Sequence, residues 1–150
     1  MNTLRFSEQS PVTPDAQLLL GEFSAILTSV TGNNGQRHFL PNTMSEPGSY
    51  FVVAYRQQLP AACGSLQRRD ADTAELKRIY TRPNKTGDGS QLLQHLEGVA
   101  RQNGYLRLVC ETRTINTAAV AFYLKNHYHR IENYGPYQGR YEAICFEKML

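Results

Sequence analysis

The sequence has few cysteines, no long apolar run and no block of basic residues, and each absence excludes a class of protein. Its three cysteines, Cys63, Cys110 and Cys145, are odd in number and widely spaced, which is untypical of a disulfide framework or a Cys-x-x-Cys metal site. No apolar run approaches the ~18 residues that cross a membrane, and the N-terminus lacks a basic segment followed by an apolar one. We therefore expect a cytoplasmic protein with reduced, buried thiols and no membrane partner.

Charge and histidine spacing exclude two further classes. The net charge is +3 and no run of lysine or arginine exceeds two residues, which is too weak a signal for nucleic acid binding. His127 and His129 would share one face of a strand, but no third ligand lies near them in the sequence. We expect neither a nucleic acid partner nor a metal.

Length and composition favour one compact domain. The chain has 150 residues, of which 41% are hydrophobic and 19% charged, as in ordinary soluble proteins. A chain of this length buries roughly 68–70% of its unfolded surface without disulfides or metals. We expect residues 1–150 to form a single domain.

Hydrophobic periodicity predicts alternating strands and helices. A first helix begins at Thr13-Pro14, a candidate N-cap and first helical residue, and ends at Gly32. Further helices follow the glycine turn at residues 84–90 and the candidate cap Asn116. Residues 32–48 predict a long loop or a short additional helix. The predicted strands are residues 4–8, 50–55, 61–66, 74–82, 105–112, 128–133 and 143–148. Hairpins and crossover helices together predict an α/β (α+β) fold with a mixed sheet.

The strand from Glu75 to Arg82 continues through a glycine turn into a helix. Unpaired N–H groups and the helix dipole at such a junction favour phosphate. Glycines at 87 and 89 would allow a ligand close to the backbone, and Arg82 and Lys85 add positive charge.

Two common phosphate-binding patterns do not fit this turn. A dinucleotide fingerprint needs glycine where Leu92 stands, and a P-loop needs Lys-Ser or Lys-Thr where Ser90-Gln91 stand. These residues could also form a turn that binds no phosphate and only connects the strand to the helix.

The residues from 84 to 89 resemble the diphosphate-binding motif Gln/Arg-x-x-Gly-x-Gly/Ala of the GNAT N-acetyltransferase superfamily. Asn84 replaces the long first residue and Asp88 an apolar one, so we expect weakened cofactor affinity. Residues 116–128 resemble the family's Asn-x-x-Ala-x-x-(Leu/Phe)-Tyr-x-(Lys/Arg)-x-Gly-(Phe/Tyr) helix, with His127 in place of glycine. The resemblance covers roughly residues 4–148 and implies a GNAT-like fold, a mostly antiparallel twisted sheet of about six or seven strands flanked by about four helices.

The resemblance also implies acetyl-CoA as acyl donor and assigns residues to its site. Tyr123 takes the position of the general acid that protonates the departing thiolate, and Glu75 that of a general base. The alternative for Glu75 is a strand carboxylate that faces solvent or forms an ion pair with Lys77 or Arg78. The implied cofactor-binding residues are Ile79 and Thr81, through their backbone, with Asn84, Lys85, Thr86, Gly87, Asp88, Gly89, Ser90, Asn116 and Tyr123.

Two loops, residues 32–48 and 134–141, would form the acceptor pocket. The candidates there are Arg37, Tyr134, Tyr137, Arg140 and Tyr141, since arginine binds carboxylates bidentately. The implied function is transfer of an acetyl group to the primary amine of a small molecule, one that can bear a carboxylate, or of a peptide or protein. The alternative is a non-catalytic acyl-CoA sensor that acts through a protein partner. The sequence leaves open whether the protein forms a homodimer.

Overall fold

The computed structural model describes residues 3–32, 49–83 and 87–150. They form seven strands, three α-helices and one 3-10 helix: β1 Arg5–Glu8, α1 Pro14–Thr31, β2 Tyr50–Arg56, β3 Leu59–Arg68, β4 Thr73–Thr81, α2 Asp88–Gln102, β5 Arg107–Arg113, α3 Thr117–Lys125, β6 His129–Ile131, the 3-10 helix Gly135–Tyr137, and β7 Ala143–Met149. All seven predicted strands are confirmed. The described residues hold three α-helices where about four were expected, and the loop or short helix predicted for residues 33–48 lies outside them.

The strands form one mixed, mostly antiparallel sheet, as expected. Their order is β1-β2-β3-β4-β5-β7-β6. Every neighbouring pair is antiparallel except β4 and β5, which are parallel. A parallel pair needs a crossover, and α2 connects β4 to β5. The parallel pair therefore lies in the middle of the sheet, beside the helix that the glycine turn begins.

Helices cover both faces of the sheet. Because successive strand residues point to opposite faces, Val52 and Ala54 pack with the leucines of α2, whereas Phe51, Val53 and Tyr55 pack with α1. Ala16, Leu19 and Leu20 in the first half of α1 are buried, but Ile26 and Val30 in its second half are 44% and 38% exposed. The predicted apolar face of α1 is thus only partly buried. No helix within the described residues is long and apolar enough to span a membrane.

Local sequence signals place the helix ends where they were predicted. The Thr13 side chain accepts a hydrogen bond from the Ala16 N–H, and α1 is capped by Gly32 at φ 77°. The Asn116 side chain accepts from the Ala119 N–H at the start of α3. These caps use N–H groups that the first helical turn leaves unpaired.

Candidate active site

A cleft opens where β4 and β5 separate. The two strands pair only over Thr73–Glu75 and Arg107–Val109, although β4 continues to Thr81 and β5 to Arg113. A cavity of about 450 Å³ lies in this region. Its lining residues come from α1 (Phe23, Leu27, Thr31), β4 (Glu75, Leu76, Lys77, Arg78, Ile79, Thr81), β5 (Glu111, Thr112, Arg113), the start and body of α3 (Asn116, Ala118, Ala119, Phe122, Tyr123), and the segment leading into β7 (Tyr137, Arg140, Glu142, Ala143).

A bulge in β4 shapes one wall of the cavity. The pairing with β3 shifts between Cys63 and Ser65, and Arg78 has φ 55°. The intervening Gly64 has no room for a side chain, since a Cβ there would lie 2.8 Å from Ile79 Cδ1. The bulge interrupts the alternation of β4, and five successive residues, 75–79, line the cavity.

Tyr123 lies in the cavity wall with its ring held on several sides. The side chain is 7% exposed and packs against the rings of Phe122, Tyr128 and Phe146. Burial, followed by the nearby Cys110 thiol, raises the pKa of Tyr123 well above its ordinary 10. The phenol is therefore protonated at every pH at which the protein would be assayed.

Glu75 faces the same cavity but already has partners. It is 5% exposed, and its Oε2 accepts a 2.7 Å hydrogen bond from the Tyr134 hydroxyl. Its Oε1 lies 3.8 Å from Arg69 Nη1 and 3.9 Å from Lys77 Nζ. The ion pair with Lys77 was one of the two sequence interpretations. Arg78 is not a partner here, because its guanidinium bonds to the Leu20 carbonyl and the Ser24 hydroxyl of α1.

Asn116, the N-cap of α3, and Tyr123 of α3 line the cavity together with Ala119 between them; residues seven apart lie on one stripe of a helix. His127 lies two residues beyond the last residue of α3 and has φ 72°. This left-handed conformation favours glycine, the residue usual at that position in the family motif. The substitution by histidine therefore affects the end of α3 and not the cavity.

The described part of the diphosphate turn leads into α2. Gly87 has φ 76° and is exposed, and a Cβ added there would meet no atom within 4 Å. Gly89 differs, because a Cβ there would lie 2.7 Å from Phe122 Cε1. Its missing side chain thus allows α2 to approach α3. Ser90 lies in the first turn of α2, and Asn84, Lys85 and Thr86 lie outside the described residues.

Two charges expected to act on a bound anion are paired inside the protein. Asp88 is buried and forms an ion pair with Arg56 of β2, so its negative charge is balanced. Arg82 binds Glu22 of α1 with Nε–Oε1 and Nη2–Oε2 distances of 3.0 and 2.7 Å. The expected repulsion from Asp88 and attraction from Arg82 are both reduced.

On the acceptor side, the structure brings together Tyr137 and Arg140 but not all the predicted residues. Both line the cavity, whereas Tyr134 reaches it through its hydrogen bond to Glu75. Tyr141 is 94% exposed, and Arg37 lies outside the described residues.

Sequence reasoning missed two charged residues of β5, Glu111 and Arg113, which line the cavity. Burial raises the pKa of Glu111 from 4.5 to about 7; Glu75 and Glu142 raise it further, while Arg113 and Lys77 oppose the shift. Alternation places Glu111 and Arg113 on one face at the carboxyl end of the strand. Two charged residues at the end of a parallel strand were the signal that could have found them.

Comparison with known proteins agrees with this geometry. The model of the acetyltransferase (GNAT) family matches residues 19–128. An IAA acetyltransferase from Azospirillum brasilense is 25% identical over 153 residues, covering 100% of both chains.

Two solved structures show the same fold at lower identity. A Klebsiella pneumoniae protein described as an acyl-CoA N-acyltransferase superposes with a TM-score of 0.82 at 24% identity, covering 99% of this chain and 98% of that one. A GNAT family acetyltransferase from Elizabethkingia anophelis, with acetyl-CoA bound, has a TM-score of 0.74 at 17% identity and 100% coverage of both chains. Since the family model matches most of the chain and the folds agree along its whole length, this protein belongs to the acetyltransferase (GNAT) family.

Proposed function

We propose that this protein transfers an acetyl group from acetyl-CoA to the primary amine of a small molecule that also bears a carboxylate. The observation that carries the proposal is the cleft between β4 and β5, where a buried phenol, carboxylates and arginines line one cavity. The phenol and carboxylates supply the proton transfers that amide formation requires. The arginines supply positive charge for an anionic group on the acceptor.

The residues on both sides of the cleft fit acetyl-CoA. Backbone groups of Ile79 and Thr81 lie on the part of β4 that does not pair with β5, and can bond the pantetheine amides. The turn at Gly87 leaves open space before the N-terminus of α2, where a diphosphate is favoured. The other residues that would hold it are Asn84, Lys85, Thr86, Asp88, Gly89, Ser90, Asn116 and Tyr123. Acetyl-CoA supplies the acetyl thioester.

Tyr123 is the proposed general acid. Its raised pKa keeps the phenol protonated, and its place in the cavity wall allows it to face a sulfur atom held in the cleft. Packing against Tyr128 and Phe146 fixes the ring, so the hydroxyl is positioned before the substrates bind. Protonation of a leaving thiolate needs both features.

The size and charge of the cavity favour a small acceptor over a protein. A volume of about 450 Å³ lies within the range of small-molecule sites. Arg113 and Arg140 line it, and neither makes an ion pair within the described part of the chain. A guanidinium available in this way can bind a carboxylate through two parallel hydrogen bonds.

The test is release of CoA from acetyl-CoA over a panel of amino acids, their amides, polyamines, aminoglycosides and peptides. The panel includes IAA, because two similar proteins are named IAA acetyltransferases. We expect amino acids to react with higher kcat/KM than the matched amides, and Arg140→Ala to remove that preference. Equal rates for acid and amide would contradict the carboxylate part of the proposal.

The same experiment separates catalysis from the sensor alternative. A sensor would be stabilised by acetyl-CoA, by about 2.7 kcal/mol at a hundredfold excess over Kd, while no amine would release CoA. Release of CoA together with an acetylated amine, seen by mass spectrometry, excludes a protein that only binds.

A further inference from the structure

We propose that Glu111, and not Glu75, is the general base that takes the proton from the acceptor ammonium. The proposal rests on the proposed function, and it moves the base from β4 to β5. Both carboxylates line the cavity. The difference between them lies in what each already contacts.

The carboxylate of Glu75 is engaged on both oxygens. Oε2 accepts the hydrogen bond of Tyr134 at 2.7 Å, and Oε1 lies within 4 Å of two cations, Arg69 and Lys77. A proton on this carboxylate would neutralise the charge that attracts Arg69 and Lys77 and would weaken these contacts. The Arg69 guanidinium also lies over the ring of Tyr134, 4.6 Å from its centroid. Glu75 therefore acts as a positioning group that holds Tyr134 and the segment after β6 against the sheet.

Glu111 has no such partners. In the described ranges its carboxylate makes no ion pair within 4 Å and no side-chain hydrogen bond, yet it lies in the wall of the cavity. The charged and titratable groups that interact with it electrostatically are Glu75 and Lys77 of β4, Cys110 and Arg113 of β5, Tyr123 of α3, Tyr137 of the 3-10 helix, Glu142 just before β7, and Cys145 of β7. Burial among them raises the pKa of Glu111 to about 7, close to the pH at which a general base is most effective.

The proton balance assigns each group one task. The ammonium of the acceptor has three protons: Glu111 takes the first and passes it to solvent. The nitrogen lone pair then forms the C–N bond to the acetyl carbonyl carbon as the C–S bond breaks, and Tyr123 gives its proton to the leaving sulfur. The second nitrogen proton restores Tyr123, and the third stays on the amide. The products are the N-acetylated amine, CoA as thiol, and one proton.

The test is the pH profile of kcat/KM for glycine, β-alanine and 4-aminobutyrate with acetyl-CoA, from pH 5.5 to 9.5. Their amines are protonated over most of this range. With Glu111 as base, the wild-type protein uses the abundant ammonium form, so kcat/KM rises up to about pH 7 and is then level. Glu111→Gln must wait for the rare neutral amine, so its kcat/KM rises about tenfold per pH unit throughout. The loss of about 10²- to 10³-fold at pH 7 therefore shrinks as the pH rises.

Three variants make the result specific. Glu111→Asp keeps a carboxylate and should keep the level region at reduced kcat/KM. Glu75→Gln should lower kcat/KM at every pH but should keep the level region of the profile. Glu132→Gln changes the same charge at an exposed position away from the cavity and should match the wild-type profile. Stabilisation by acetyl-CoA shows that each variant is folded.

If kcat/KM of Glu111→Gln is also level above pH 7, the proposal is overturned. If the level part of the profile disappears in Glu75→Gln and not in Glu111→Gln, Glu75 is the base. If the wild-type protein releases no CoA with any amine at any pH, the proposed acetyl transfer itself is wrong. That outcome differs from one in which the wild-type protein acetylates amines and Glu111→Gln has the same pH profile. The second outcome would contradict only the role of Glu111.

Discussion

Replacing Glu111 by glutamine should stabilise the folded protein at alkaline pH while it slows catalysis. The pKa of Glu111 is raised from 4.5 to about 7 in the folded protein, mainly by burial. Below pH 4.5 the carboxyl is neutral in both states and costs nothing. Above pH 7 it is ionised in both states, and the folded protein then bears an ionised carboxylate in a poorly solvated cavity.

The magnitude follows from the separation of the two pKa values. Each pH unit of separation corresponds to about 1.4 kcal/mol. With a discount for partial exposure of the side chain, the cost at pH 8 is roughly 2–3 kcal/mol. The wild-type protein loses this stability as the pH rises from about 4.5 to 7, and Glu111→Gln should not lose it. A gain in stability on removal of an active-site charge is expected where function requires an unfavourable group.

The assay is urea unfolding of the wild-type protein and Glu111→Gln at pH 5 and pH 8, with Glu132→Gln as the control for net charge. The difference in free energy of unfolding should be small at pH 5 and reach roughly 2–3 kcal/mol at pH 8, or roughly 5–10 °C in Tm for a domain of this size. The reasoning is refuted if Glu111→Gln changes stability equally at the two pH values.

Three further changes test local features of the fold. His127→Gly should stabilise the protein by about 0.5–1 kcal/mol, because position 127 has φ 72° and glycine adopts that conformation without strain; an unchanged urea midpoint would count against it. Gly89→Ala should destabilise by about 1–3 kcal/mol through its clash with Phe122, and adding Phe122→Leu should recover part of the loss, whereas strictly additive effects would contradict the contact. Burial lowers the pKa of His95 below 6.5, so on acidification the unfolded chain takes up the proton before the folded protein does. The free energy of unfolding should therefore fall as the pH decreases below about 6.5. His95→Gln should remove that dependence in unfolding experiments at pH 5–7.

The elements and their ends could be predicted from the sequence because their causes are local. Thr13 and Asn116 cap helices through N–H groups three residues away, and Gly32 ends α1 with a positive φ. The family motifs are local as well, which is why the sequence alone places Tyr123 on the correct stripe of α3.

What the sequence could not predict depends on contacts between distant segments. Asp88 pairs with Arg56 across 32 positions and Arg82 with Glu22 across 60, so both charges looked available for a ligand. The contact of Gly89 with Phe122 likewise requires two helices to meet. In each case the sequence drew attention to one residue and gave no information about its distant partner.

The two carboxylates show the same limit within the site itself. Glu75 stood out because the family resemblance implies a general base on its strand, but the resemblance gives no information about Tyr134 and Arg69, which contact its carboxylate. Glu111 matched no motif. Most of its neighbours come from other segments of the chain, namely β4, α3, the 3-10 helix and the start of β7, and the folded arrangement is what makes it a candidate base.

The most direct measurement is kcat for Tyr123→Phe with acetyl-CoA and the best amine of the panel. The substitution removes one hydroxyl and keeps the ring that packs on Tyr128 and Phe146, so folding and acetyl-CoA binding should be retained. If the cleft transfers acetyl groups with Tyr123 as the acid, kcat should fall by about 10²- to 10⁴-fold. A kcat close to that of the wild-type protein would contradict the mechanism.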